Sequence, residues 1–248
     1  MKILQDYIVP VVRVSDRDEG LYFNQLHGTA FFINSRGAFI TAKHVIEQAD
    51  LAAKKHGDKI ALVMRKPGDD AYRFAGHIQN ISFAEAPYDI AIGYVAEPSK
   101  SCFAPANTEK ICAWQDVFAA GYAESAVSRD GTSVRPDTRS LKGYVVRKVP
   151  PGQFLAGVDD HPAALEVDFA IPHCMSGAPL VLRYAPNETP PPGEPFPLLG
   201  VCVASEAITI GKETEHYGVV HDLWPLKDWK PDCLGGETLF KAIRPEGG

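Results

Sequence analysis

Three observations predict an all-β fold of two antiparallel barrels for this chain. Short runs rich in Val, Ile, Phe and Tyr recur along nearly its whole length, Gly, Pro, Asn or Asp separates them, and one stretch breaks the pattern with helical composition. Runs that follow one another directly have the spacing of an antiparallel barrel or sandwich and not of alternating strands and helices, and eleven of them suit two barrels.

Taken in order, the runs are "YIVPVVRV", "TAFFINSRGAFITA", "KIALVMR", "RFAGHIQNI", "DIAIGYV", "DVFAAGY", "KGYVVRKV", "AALEVDFAI", "APLVLRY", "LLGVCVAS" and "HYGVV". The interruption, "HVIEQADLAAKKHG", begins at His44 and reads as a helix from Val45 to about His56. Gly57 is placed to end it, and Lys54 and Lys55 lie in its last turn. Residues 124–140, "ESAVSRDGTSVRPDTRS", read as a polar loop with turn signals. Residues 185–197, "APNETPPPGEPFP", are too rich in proline for a central strand and read as an extended connection. Beyond Pro225, Trp229, with Trp224 just before, anchors part of a tail whose last residues, "RPEGG", are expected to fray. The expected division is one domain over 1–248, with a first barrel at about 7–100, a second at about 112–224 and the tail at 225–248.

A chain of 248 residues, 45% hydrophobic and 23% charged, can bury a large core and falls in the globular range. Its formal charge of -6, with no dense Lys/Arg block, argues against a nucleic-acid partner. No stretch approaches the roughly 18 apolar residues that span a bilayer, and "MKILQDYIVPVVRV" lacks the features of a secretory leader. No membrane partner and a cytoplasmic location are expected. The cysteines, Cys102, Cys112, Cys174, Cys202 and Cys233, are odd in number and include no C-x-x-C pair, so reduced thiols are expected rather than a disulfide framework or a zinc ribbon.

Three contexts carry chemistry. "MSGAP" offers Ser176 beside Gly177 and ahead of Pro179; "ITAKHVI" presents His44 where an apolar strand passes into the helix; "YDIAIGYV" sets Asp89 just before an apolar run. Each has a structural explanation when taken alone. A histidine is commonly structural, and His27, His56, His77, His161, His173, His216 and His221 are also present; an aspartate before a strand commonly caps its own turn.

Taken together, in the order His, Asp, Ser, these contexts resemble the chymotrypsin-like (trypsin-fold) serine peptidases. "HGTAFFINSRGAFITAKHVI" looks like the family's histidine segment, "YDIAI" like its aspartate segment and "DFAIPHCMSGAPLVL" like its serine segment. The nearest pattern is that of bacterial HtrA-type peptidases. The resemblance implies two six-stranded antiparallel Greek-key barrels with the active site in the cleft between them. It implies a serine endopeptidase acting through an acyl-enzyme: Ser176 as nucleophile, His44 as base and acid, Asp89 orienting the imidazole. No metal or organic cofactor is implied, and the implied partner is a peptide or an unfolded protein, with a regulatory protein or sensor domain as a further partner. HtrA peptidases usually append a PDZ domain, and the residues after 225 are too few for one.

In the family, the backbone N–H groups of the serine and of the residue two before it form the oxyanion hole, and that earlier residue is normally glycine. Here it is Cys174, so the loop is expected either to hold roughly 1 to 3 kcal/mol of strain or to flip a peptide and lose a donor. Regulation through that loop is therefore expected. Met175 stands where secreted relatives carry an aspartate that pairs with a new N-terminus, so activation by N-terminal cleavage is not expected. A nucleophilic Cys174 is the weaker reading, because a thiolate needs a base of its own.

The resemblance builds the substrate pocket from Ala170, Ile171, Cys202, Ser205 and Gly218, with the peptide adding a strand along Val203 to Ser205. No aspartate stands at the pocket base, so small or medium uncharged side chains are expected before the cut; Asp168 is read as structural and His221 as a turn or surface histidine. The alternative reading is a non-catalytic trypsin-fold module that binds an extended peptide at the same edge. An esterase of the α/β-hydrolase type is disfavoured, since the G-x-S-x-G elbow is missing.

Overall fold

The computed structural model describes residues 7–17, 20–65, 72–97, 100–130, 133–153, 160–183, 194–210 and 212–245. Fourteen strands form two sheets of seven. The first sheet holds β1 (Ile8–Arg17), β2 (Gly20–Phe32), β3 (Ala38–Thr41), β4 (Lys59–Arg65), β5 (Tyr72–His77), β6 (Gln79–Phe83) and β7 (Ala91–Tyr94). The second holds β8 (Phe103–Pro105), β9 (Asp116–Asp130), β10 (Ser133–Val149), β11 (Ala164–Val167), β12 (Pro179–Leu182), β13 (Phe196–Ile210) and β14 (Glu213–Asp222).

The all-β fold holds, but each sheet has seven strands where six were expected. In the first, the order is β5-β4-β1-β2-β3-β7-β6. Only Ile78 separates β5 from β6, yet they lie at opposite edges of the sheet, so the run read as one strand is a single bent strand. Gly76 (φ 139°) and Asn80 (φ 47°) supply the backbone angles for the bend. In the second sheet β12 pairs with both β9 and β13, closing a ring of six strands, and β8 adds a parallel pairing outside the ring on β13.

Residues 124–140, expected as a loop, instead extend β9 and β10 into a long hairpin, with Ser133 opposite Asp130 and Pro136 opposite Val127. Exposed hairpin arms have little apolar surface to bury, which is why their polar composition reads as loop. Most of the proline-rich connection and the last three residues of the "RPEGG" end lie outside the described residues.

The helix α1 (Lys43–His56) ends at Gly57, whose φ of 70° is the left-handed conformation that glycine adopts cheaply. It packs Val45, Ile46 and Ala49 against Val9, Phe32 and Phe39 of the first sheet and buries Ala53 as well. Val45 and Ile46 each contribute roughly 1.5–3 kcal/mol by that burial. A second apolar cluster joins the barrels: Phe31 meets Phe103 edge-on at 5.0 Å, with Ile40, Ile92, Tyr122 and Val201 in the same core. The tail packs back on it through Leu234, Leu239 and Ile243, and Trp224 stands edge-on to Phe240. Leu239 belongs to a short helix, α2 (Leu239–Ala242). None of the five cysteines forms a disulfide, and among the described residues no helix is long and apolar enough to cross a membrane.

Candidate active site

Helix α1 begins without a capping side chain at Ala42. The missing acceptor comes from Asp89, whose carbonyl takes the Lys43 N–H (3.3 Å) and whose Oδ1 takes the His44 N–H (2.8 Å). Its other oxygen, Oδ2, lies 2.5 Å from His44 Nδ1. Both carboxylate oxygens are thus committed to His44, which fixes the ring and assigns the Nδ1 proton to the bond with Asp89. Burial pushes the Asp89 carboxyl up, but the bonds and charge of His44 outweigh it and leave the group below its ordinary range.

Asp89 is itself held from behind. Its backbone N–H donates to Nδ1 of His221 at 3.0 Å, so that histidine carries its proton on Nε2. His221 is buried, and burial draws its pKa down to about 4. The expectation of a turn or surface histidine is corrected: His221 on β14 is a buried, neutral histidine that holds Asp89 from behind. The sequence carried no signal for this, because positions 89 and 221 meet only through the fold.

Ser176 lies against the same helix start. Its carbonyl accepts from Thr29 N–H at 2.9 Å, and a Cβ built on Gly177 would stand 3.1 Å from Ala42 N and 2.3 Å from Thr41 Oγ1. With φ at 89°, Gly177 is needed for both its angle and its lack of side chain. The hydroxyl of Ser176 donates to the Val203 carbonyl at 3.1 Å, and among the described residues no hydrogen bond joins it to His44.

The segment before the serine settles the question raised by Cys174. Met175 N–H returns to Pro172 O at 2.9 Å, and Cys174 has φ 69° while His173 does not share a positive φ, which defines a type II turn. The His173 carbonyl accepts from Glu124 N–H on β9 (3.1 Å), so the trans peptide aims the Cys174 N–H away from that strand. The N–H groups of Cys174 and Ser176 have no intramolecular partner among the described residues, whereas those of Met175, Gly177 and Ala178 do. The strained, unflipped alternative is the one adopted, at roughly 1 to 3 kcal/mol.

Thr29, fully buried, holds this turn from the first barrel. Its hydroxyl donates to Cys174 O (3.0 Å) and accepts from Tyr122 N–H (2.8 Å), while Thr41 donates to its carbonyl (2.6 Å). The Cys174 thiol donates to Leu26 O across 3.6 Å, and burial pushes it up to about 12. A protonated, buried thiol is not a nucleophile. The Met175 side chain is fully buried in the second barrel among Ala119, Leu180 and Cys202 and carries no charge for an ion pair.

The expected pocket residues divide. Ser205 accepts from Ile171 N–H (2.5 Å) and donates to Ile171 O (2.9 Å), bridging β13 to the segment that precedes the serine, the two parts that would wall the pocket. Gly218 lies against Phe169 O and Ile171, where an added Cβ would come within 2.7 Å and 3.0 Å. Ala170 is exposed. Cys202 does not line the pocket: its side chain is fully buried in the core of the second barrel, and its carbonyl accepts from Gly177 N–H. Asp168 exchanges hydrogen bonds with Tyr144 on β10 and is structural. A bulge between Cys202 and Ala204 interrupts the pairing with β14 at Val203. A cavity of about 220 Å³ opens beside it, lined by Asp89, Asp160, His161, Val203, Glu206 and His221.

Two barrels with a histidine–aspartate pair on one side and a serine turn on the other define the trypsin-like class. The model for the trypsin-like peptidase domain matches residues 28–185, and the chain belongs to that family. Among solved structures it is similar to the HtrA-type protease AlgW with a decapeptide, at 15% identity and a TM-score of 0.54, covering 88% of this chain and 61% of that one. It is also similar to the MamO protease domain from Magnetospirillum magneticum in its apo form, at 16% identity and a TM-score of 0.51, covering 88% and 93%. The chain therefore spans about three fifths of the AlgW chain's length. A comparison with curated proteins gives no match.

Proposed function

We propose that this chain is a serine endopeptidase that cleaves peptide or unfolded-protein substrates through an acyl-enzyme. Ser176 attacks the scissile carbonyl, His44 takes and returns the proton, and Asp89 holds the imidazole and stabilises its charged form. The observation that carries this reading is the commitment of both Asp89 oxygens to His44, which leaves ring Nε2 as the group that exchanges a proton. The N–H groups of Cys174 and Ser176 receive the oxyanion, each removal costing about 10²–10³ in kcat in comparable sites.

For the reaction to begin, the Ser176 hydroxyl exchanges its bond to Val203 O for one to His44. An extended peptide laid along 203–205 binds by strand addition, and a neighbouring side chain enters the 220 Å³ cavity. The Ser205–Ile171 bridge narrows the place before the cut to small uncharged side chains. Control lies in the turn 172–175: rotation of the His173–Cys174 peptide removes one donor and breaks the bond to Glu124 N–H.

Fluorophosphonate labelling together with casein hydrolysis tests the reading. Wild type is expected to label and to cleave, and Ser176→Ala to do neither. Label persisting in Ser176→Ala would reject the assignment, and saturable peptide binding without turnover by wild type would replace the enzyme with a binding module.

A further inference from the structure

The turn that presents the Cys174 donor gathers three potential metal ligands from two parts of the chain, Glu124 on β9 and the adjacent pair His173 and Cys174. A carboxylate oxygen of Glu124, an imidazole nitrogen of His173 and Cys174 Sγ all lie within 4.8 Å of one another. Glu124 and His173 are exposed and face each other, with Oε2 3.8 Å from Nε2, while the sulfur is buried. We propose that Glu124, His173 and Cys174 form a zinc site that governs the oxyanion turn.

The donor set selects the metal. A thiolate excludes Mg²⁺ and Ca²⁺, which take oxygen ligands, whereas one sulfur, one nitrogen and one oxygen suit Zn²⁺ and leave a fourth position for water. Ligands around a tetrahedral zinc stand somewhat closer than 4.8 Å, and the two exposed side chains supply that adjustment while the turn stays fixed. On binding, the Cys174 thiol gives its proton to solvent and its sulfur leaves Leu26 O for the metal. Bonds to the metal form and one S–H bond is lost, with no change in oxidation state.

The site is coupled to the donor by construction. The same three residues already fix the peptide, since Glu124 N–H holds His173 O and the next N–H is that of Cys174. A zinc ion tied to all three side chains locks this turn and places an imidazole and a carboxylate at the mouth of the oxyanion hole, so occupancy slows turnover. That consequence rests on the peptidase reading; the site itself does not.

Cobalt substitution tests it. Titration of the reduced protein with Co²⁺ is expected to give a one-to-one complex with a near-ultraviolet thiolate-to-cobalt charge-transfer band, displaced by Zn²⁺. The band is expected to disappear in Cys174→Gly, and Co²⁺ affinity to fall at least about tenfold in Glu124→Gln and in His173→Ala. No band with excess Co²⁺, a band retained in Cys174→Gly, or unchanged affinity in both other variants would overturn the site. Because the spectrum needs no turnover, binding without hydrolysis would count only against the peptidase reading, and hydrolysis without the band only against zinc. Casein cleavage unaffected by saturating Zn²⁺ would overturn the control of turnover.

Discussion

In the first barrel, His44 and Asp89 are joined twice, by ring and by backbone, and His221 holds the aspartate from β14 of the second barrel. In the loop of the second barrel, Ser176 is turned to Val203 and two backbone donors stand without partners among the described residues. One half is finished in the resting state and the other is held open. Under the proposed mechanism the His44–Asp89 pair needs a single geometry, and hydrogen bonds can fix it beforehand. In the proposed mechanism Ser176 and its two backbone donors meet a carbonyl that arrives with the substrate, which would explain why their bonds are withheld until then.

Substitutions in the two halves should therefore fail differently. Ser176→Ala removes the proposed nucleophile, and kcat is expected to fall by about 10⁶ with the fold intact by circular dichroism. Asp89→Asn, which keeps the geometry but favours the wrong imidazole tautomer, is expected to lower kcat by about 10⁴ while peptide binding persists; a matching loss of peptide binding would place Asp89 in substrate binding instead. Cys174→Val introduces a β-branched residue at φ 69°, which flips the turn, and a loss of about 10²–10³ in kcat is expected. Cys174→Gly, which accepts that angle, should stay well above it, and equal rates would show that the donor is not used.

His221 gives a signature in stability rather than rate. Its pKa is about 4 in the folded protein against 6.5 when unfolded, so only the unfolded chain takes up the proton between those values. Stability is full above about pH 6.5 and falls as pH drops towards 4, by on the order of 3 kcal/mol. His221→Asn, which keeps an acceptor for Asp89 N–H, should flatten that fall in a series of melting curves; an unchanged slope would remove His221 as its cause. The smallest effect belongs to Ser205→Gly, which unlinks the pocket walls. It should raise kcat/KM for larger apolar residues before the cut by about tenfold, and a fixed preference would show that the wall lies elsewhere.

The sequence made the three chemical segments legible because each sits at a change of local pattern: strand to helix at His44, loop to strand at Asp89, turn to strand at Ser176. It also exposed the oddity of Cys174. What it hid depends on contacts between distant segments. Thr29 reads as an ordinary strand residue, yet it clamps Cys174 and Ser176 at once. The β9–β10 hairpin hides behind polar composition, and the Glu124–His173–Cys174 cluster combines positions some fifty residues apart, which no local spacing rule detects.

Met175 has one more consequence. It ties the serine turn to the second barrel by apolar burial alone, where a carboxylate would tie it by charge. Burial of this kind is driven by entropy near room temperature and weakens on cooling, whereas ionic strength hardly touches it. That one anchor should thus weaken in the cold and ignore salt, leaving the hydrogen bonds from Thr29, Glu124 and Gly177 to carry more of the turn's order in a chill.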